Sequence, residues 1–223
     1  MAKSKETIKF PAYNGISLVL GDITSLYVDC LVCHLSTVKL AATPNRGLLG
    51  AVSKSAGPKF LKDFKEIFDM KSQKTTNEVK FTKGFNSRAF EIFHCHGPSI
   101  NPGMNQAWKE SDKHALAMMV ENCLDLAIKH NHVSIVFPAM VSGNYKFDTY
   151  EAPKIVINSI KSWREMNDGK KMDVFICLFN EKDLKLYREV LEQNGDILMK
   201  DDRIYVKDSK GFHGDLQKYE IET

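Results

Sequence analysis

The sequence predicts an α/β fold in which a mixed, largely parallel sheet lies under helices on both faces. Three observations predict it. Between residues 28 and 193, short apolar runs alternate with longer segments whose apolar residues recur every three or four positions. The runs Val28-Asp29-Cys30-Leu31-Val32-Cys33, Val133-Ser134-Ile135-Val136-Phe137 and Val174-Phe175-Ile176-Cys177-Leu178-Phe179 are nearly continuous, as strands buried on both faces are. Strand, helix and strand in repeated order favour parallel crossovers in one sheet.

Taken in order, residues 7–10 and 16–21 read as short strands around the turn Pro11-Ala12-Tyr13-Asn14-Gly15, and Gly21-Asp22-Ile23-Thr24 closes the second. Residues 28–33 form the next strand, and 36–46 a polar loop. From Gly47 the pattern turns helical, with Leu48, Leu49, Val52 and Ala56 at core spacing and Gly57 as the stop. Residues 59–69 are amphipathic, with Phe60, Phe64, Ile67 and Phe68 on one face. Strands at 79–81 and 89–95 bracket a turn at 84–87. The longest helix spans 105–130, its buried stripe formed by Trp108, Ala115, Met119, Cys123, Leu126 and Ala127. After the strand at 133–137, Pro138 ends the ladder because it has no N–H to donate. Helices at 152–163 and 181–193 flank the last strand, 174–179.

The turn after Pro138, centred on Ser142-Gly143-Asn144 and leading into a helix, brings unpaired backbone N–H groups and a helix dipole together. That is a ready anion site. His94 and His96, two apart on one strand, share a face and are able to hold a metal with a third partner. The plainer reading is a pair of satisfied histidines at a strand end. Cys30 and Cys33 form a C-x-x-C, but a strand sends them to opposite faces, which argues against zinc or redox chemistry there.

The 223 residues suit one domain, and 43% hydrophobic with 26% charged residues is ordinary soluble composition. A net charge of +3 with dispersed basic residues gives no polybasic arm. No apolar run approaches the roughly twenty residues a membrane span needs, and the start Met1-Ala2-Lys3-Ser4-Lys5-Glu6 has no secretory character. Five cysteines, an odd number, fit free thiols in a reducing compartment, so a cytoplasmic or nuclear setting is expected.

Several stretches, in order, resemble the macro domain family. They are Gly21-Asp22-Ile23-Thr24 with the strand from Val28, Gly47-Leu48-Leu49-Gly50-Ala51-Val52, and Phe93-His94-Cys95-His96-Gly97-Pro98. Pro138-Ala139 leading into Ser142-Gly143-Asn144-Tyr145-Lys146-Phe147, and Val174 to Glu181, complete the match, which runs over 16–192. The resemblance implies a three-layer α/β/α fold and a site for ADP-ribose, with no metal or redox cofactor. It divides the chain into one domain, 1–195, and a C-terminal extension, 196–223, read as a hairpin around Lys200-Asp201-Asp202 followed by a polar tail.

The resemblance also implies residue roles. Asp22 accepts from the adenine amino group beside the backbone of Ile23, and Phe179 stacks on the base. The Gly47, Leu48, Gly50, Val52 turn and the Ser142, Gly143, Asn144, Tyr145 loop cradle the pyrophosphate. Phe147 packs on the distal ribose. Hydrolysing members carry an asparagine where this chain reads His34-Leu35-Ser36. Ser36 therefore stands at the ribose with a single donor and a shorter reach. Lys146 and Asp148 replace a usual glycine and proline, and fewer glycines in the first phosphate loop imply a different loop shape.

These features imply a reader of ADP-ribose or of mono-ADP-ribosylated protein, monomeric, with weak or no hydrolase activity. The alternative is an ADP-ribosyl hydrolase with Lys83 as a covalent nucleophile and Asp148 beside it, or with His34, His94 or His96 as general base. A third reading is a macro-like scaffold for protein or RNA. The tail's Arg203, Tyr205, Lys207 and Phe212 barely meet the pattern of RNA binding, so RNA is the minor partner.

Overall fold

Side-chain alternation along the strands sorts the core into two layers, one on each face of the sheet. The computed structural model describes residues 8–9, 15–35, 47–68, 78–96, 109–140, 151–168, 170–195, 197–200, 203–208, 211–213 and 219–220. Its elements are β1 (Ile8–Lys9), β2 (Ile16–Leu20), a 3-10 turn (Ile23–Ser25), β3 (Val28–Leu35), α1 (Gly47–Ala56), α2 (Pro58–Ile67), β4 (Val79–Lys83) and β5 (Ala89–His96). There follow α3 (Glu110–Lys129), β6 (Ser134–Pro138), α4 (Glu151–Met166), β7 (Asp173–Leu178) and α5 (Glu181–Gln193). Last come β8 (Ile197–Lys200), β9 (Arg203–Asp208), β10 (Gly211–His213) and β11 (Tyr219–Glu220).

The main sheet has eight strands in the order β11-β1-β2-β7-β6-β3-β5-β4. Its centre, β2-β7-β6-β3-β5, is parallel, and β4 and β1 add antiparallel edges. Within the segment read as a tail, β11 pairs with β1. The expected hairpin around residues 201–202 is β8 with β9, and β10 extends it to a three-stranded sheet.

Ile16 and Leu18, Cys30 and Val32, Phe93 and Cys95, Ile135 and Phe137, and Val174 with Ile176 pack beneath α3, α4 and α5. The alternate residues Val19, Leu31, Cys33, Leu35, Ile92, Val136 and Cys177 pack against α1 and α2. Cys30 and Cys33 therefore sit in opposite layers, as alternation requires. All five cysteines are buried free thiols, and burial pushes Cys30 and Cys33 well above the usual thiol range, so they stay protonated.

On α3 the buried stripe is Leu116, Met119, Val120, Cys123, Leu124 and Ala127. Ala115 and Leu126, expected inside, lie at its half-buried margins, because the stripe at i, i+3 and i+4 is centred one position further on. Trp108 lies outside the described residues. The parallel strands β3 and β6 are clasped at their starts by Asp29. Its Oδ2 accepts from the backbone N–H of Val133 at 2.8 Å and of Ser134 at 3.0 Å, and from the Ser134 hydroxyl at 3.0 Å.

Candidate functional site

In an open parallel sheet, ligands bind beyond the carboxyl ends of the strands. Here β2 and β7 are neighbours, and the N–H of Gly21 donates to the Leu178 carbonyl at 2.9 Å. Cys177 Sγ adds a contact of 3.6 Å to the Gly21 carbonyl. The next residues, Asp22 and Phe179, consequently leave the sheet side by side.

Asp22 caps the 3-10 turn, with Oδ1 accepting from the Thr24 N–H at 2.9 Å and the Thr24 hydroxyl at 2.8 Å. Both bonds land on one oxygen, so the exposed carboxylate is fixed in place. The Ile23 side chain is buried in the layer that holds Val52, so only its backbone is offered to a ligand. Phe179 is 65% exposed. A strand-end phenylalanine usually completes a core, and this one lies outside it.

The α1 helix starts at Gly47, which holds φ +60°, a conformation that glycine adopts without strain. This helix packs on β3 and on the 3-10 turn, which brings its first turn to the same edge as Asp22. The opening N–H groups of a helix lack partners within it, and Gly47, Leu48 and Gly50 supply them here. Val52 does not belong with them. Its side chain is 1% exposed in the core, and as the sixth residue of the helix its N–H serves the helical ladder.

Lys83 is placed at the other end of the sheet. It pairs with Glu91, five positions before the end of β5 at His96, about 16 Å away along the strand. The antiparallel run of β4 causes this: the strand reaches the amino-terminal edge as it reaches Lys83. Near it opens a cleft of about 760 Å³, whose walls include Tyr27, Lys83, Arg88 and Phe90. Ser36, Ser142, Gly143, Asn144, Tyr145, Phe147 and Asp148 lie outside the described residues.

The strand histidines are structural in their surroundings. His94 Nε2 meets the Thr82 hydroxyl at 3.0 Å, and Phe60, Phe64 and Phe68 ring the imidazole at 5.0–5.7 Å. Burial, reinforced by His96, lowers its pKa to about 3. The same causes lower His34 to about 4. Among the described residues the group with metal-ligand spacing is a different one, Glu91, His130 and His132. Sequence reasoning passed over it, although His130-Asn131-His132 at the end of α3 was a usable signal.

The macro domain profile matches residues 36–156. A macro domain-containing protein of Chlorobaculum tepidum is 31% identical over 176 residues, 79% of this chain and 95% of that protein. An ADP-ribose glycohydrolase of Homo sapiens is 28% identical over 84% of this chain, which spans only 44% of that longer protein. An O-acetyl-ADP-ribose deacetylase of Enterobacter cloacae is 26% identical over 82% of this chain and 97% of its own length. Among solved structures, an Oceanobacillus iheyensis macrodomain with ADP superposes with a TM-score of 0.70 at 28% identity, covering 84% of this chain and 96% of that one. A Trypanosoma brucei macrodomain in complex with ADP-ribose gives 0.65 at 25% identity, over 79% of this chain and 69% of its own. With its three layers, strand order and matching sequence, the chain belongs to the macro domain family.

Proposed function

We propose that this protein binds ADP-ribose at the carboxyl edge of its sheet and reads it, free or attached to protein, with weak or no turnover. The observation that carries the proposal is that Asp22 and Phe179 follow the ends of adjoining strands, one a fixed carboxylate and the other an exposed ring. An adenine fits that pair, its amino group donating to Asp22 and its face on Phe179. The first turn of α1 offers N–H groups to a pyrophosphate from the same edge. The solved relatives that hold ADP and ADP-ribose support this choice of ligand.

A second reading, hydrolysis of ADP-ribose linkages, is favoured by relatives named as a glycohydrolase and a deacetylase. It does not run through Lys83, which stands at the far edge. Serine at position 36, in place of an asparagine, weighs toward the reader.

Calorimetry with ADP-ribose tests the proposal, with Phe179→Ala as the comparison. Base-on-aromatic stacking contributes about 1–3 kcal/mol. Micromolar binding that weakens tenfold or more in Phe179→Ala is the expected result; no heat at millimolar ligand sinks both readings. Release of ADP-ribose from a mono-ADP-ribosylated protein over many turnovers would then favour the hydrolase over the reader.

A further inference from the structure

At the amino-terminal edge, away from Asp22, three ligating side chains converge on one point. Helix α3 ends in a Schellman cap: the Asn131 N–H donates to the Ile128 carbonyl at 2.9 Å and the His132 N–H to the Ala127 carbonyl at 2.9 Å. Asn131 takes the left-handed conformation, φ +61°, which this cap requires. The turn it creates places His130 and His132 on the same side, facing β5. There His130 Nδ1 lies 2.7 Å and His132 Nε2 3.0 Å from the same carboxylate oxygen, Glu91 Oε2. All three ligand atoms lie within 4.8 Å of one another.

The surroundings hold this arrangement in place. Phe81 meets the His130 ring edge-on at 4.6 Å, and Phe90 meets His132 at 5.7 Å. The side chains are 13% (Glu91), 20% (His130) and 9% (His132) exposed, so the point is screened yet not sealed. The carboxylate and the negative end of the α3 dipole both favour a cation there.

We infer that Glu91, His130 and His132 form a site for a divalent transition-metal ion, which clasps the end of α3 to β5. Two imidazoles and a carboxylate suit zinc and its neighbours rather than magnesium or calcium. A tetrahedral ion with bonds of about 2.0–2.1 Å holds its ligands roughly 3.3 Å apart. Glu91 would retreat about half an ångström from each imidazole, and the two imidazole nitrogens, within 4.8 Å of each other, would close to the same spacing. The open side leaves the fourth position to water. An ordinary ion-paired cluster is the competing account, and metal uptake separates the two.

The test uses the full chain, dialysed against chelator and titrated with zinc by calorimetry and by thermal unfolding. One zinc per chain and a rise in Tm are expected. Glu91→Gln and His132→Ala should each weaken the affinity at least tenfold. Cobalt bound by the unsubstituted chain should give the visible bands of a nitrogen and oxygen set without thiolate charge transfer, a readout that stands even where a variant folds poorly. No zinc uptake, uptake unchanged in the His130→Ala/His132→Ala double variant, or a thiolate band with cobalt would each overturn the inference.

Discussion

His94 illustrates how one buried side chain makes stability depend on pH. It lies among three phenyl rings against the Thr82 hydroxyl, and burial holds it neutral down to about pH 3. His34 behaves in the same way, down to about 4. In the unfolded chain both protonate near the ordinary value of about 6.5. Below that value the unfolded state binds more protons, so stability is complete above it and falls as the pH drops toward 4. Urea midpoints should decline from pH 7 to pH 5, and His94→Gln should reduce that slope by up to one proton; an unchanged slope would remove His94 from the account. At this scale the sequence was partly legible. The plain reading of His94 as a satisfied strand histidine holds for its place and for Nε2, while its buried Nδ1 has no hydrogen-bond partner among the described residues. The convergence of Glu91 on His130 and His132 spans 39 and 41 residues and needs the sheet to appear. The exposure of Phe179 was equally hidden, because an apolar run does not say which of its residues passes the end of the sheet.

At the scale of elements, the Asp29 clasp does what the periodicity of the strands cannot: it sets where β3 and β6 begin together. Burial alone would raise the Asp29 pKa, but hydrogen bonds from Val133 and Ser134, with the nearby His132, outweigh it and lower the value. Its stabilisation is therefore present above the ordinary carboxylate value of about 3.9 and is lost as the pH falls through the lower folded value. Asp29→Ala removes the one oxygen that accepts from all three donors and should cost about 1–3 kcal/mol of unfolding free energy. Denaturant titration at neutral pH checks this, and a loss near zero would show that the clasp is dispensable. Strands and helices were legible because their apolar spacing is local. The margin of the α3 stripe was not, since which residue faces the sheet depends on how the helix rolls against α4. One contact that sets this roll is the Trp163 indole donating to Asp125 at 2.7 Å.

Across the whole molecule the two poles of the sheet have different chemistry. The carboxyl pole gathers Asp22, Phe179 and the start of α1, while the amino pole gathers Lys83 and the Glu91, His130, His132 cluster. The order of alternating strands and helices announced the three layers, since each parallel return needs a crossover helix. It did not announce which pole Lys83 would join, because that depends on the direction of the edge strand β4. The carboxyl pole is proposed to hold the adenine of ADP-ribose through Asp22. The most direct measurement is the calorimetric affinity for ADP-ribose of Asp22→Ala beside the unsubstituted chain, with thermal unfolding to confirm that both are folded. A loss of tenfold or more, about 1.4 kcal/mol, is expected. Equal affinities in two folded proteins would contradict it and place the ligand elsewhere.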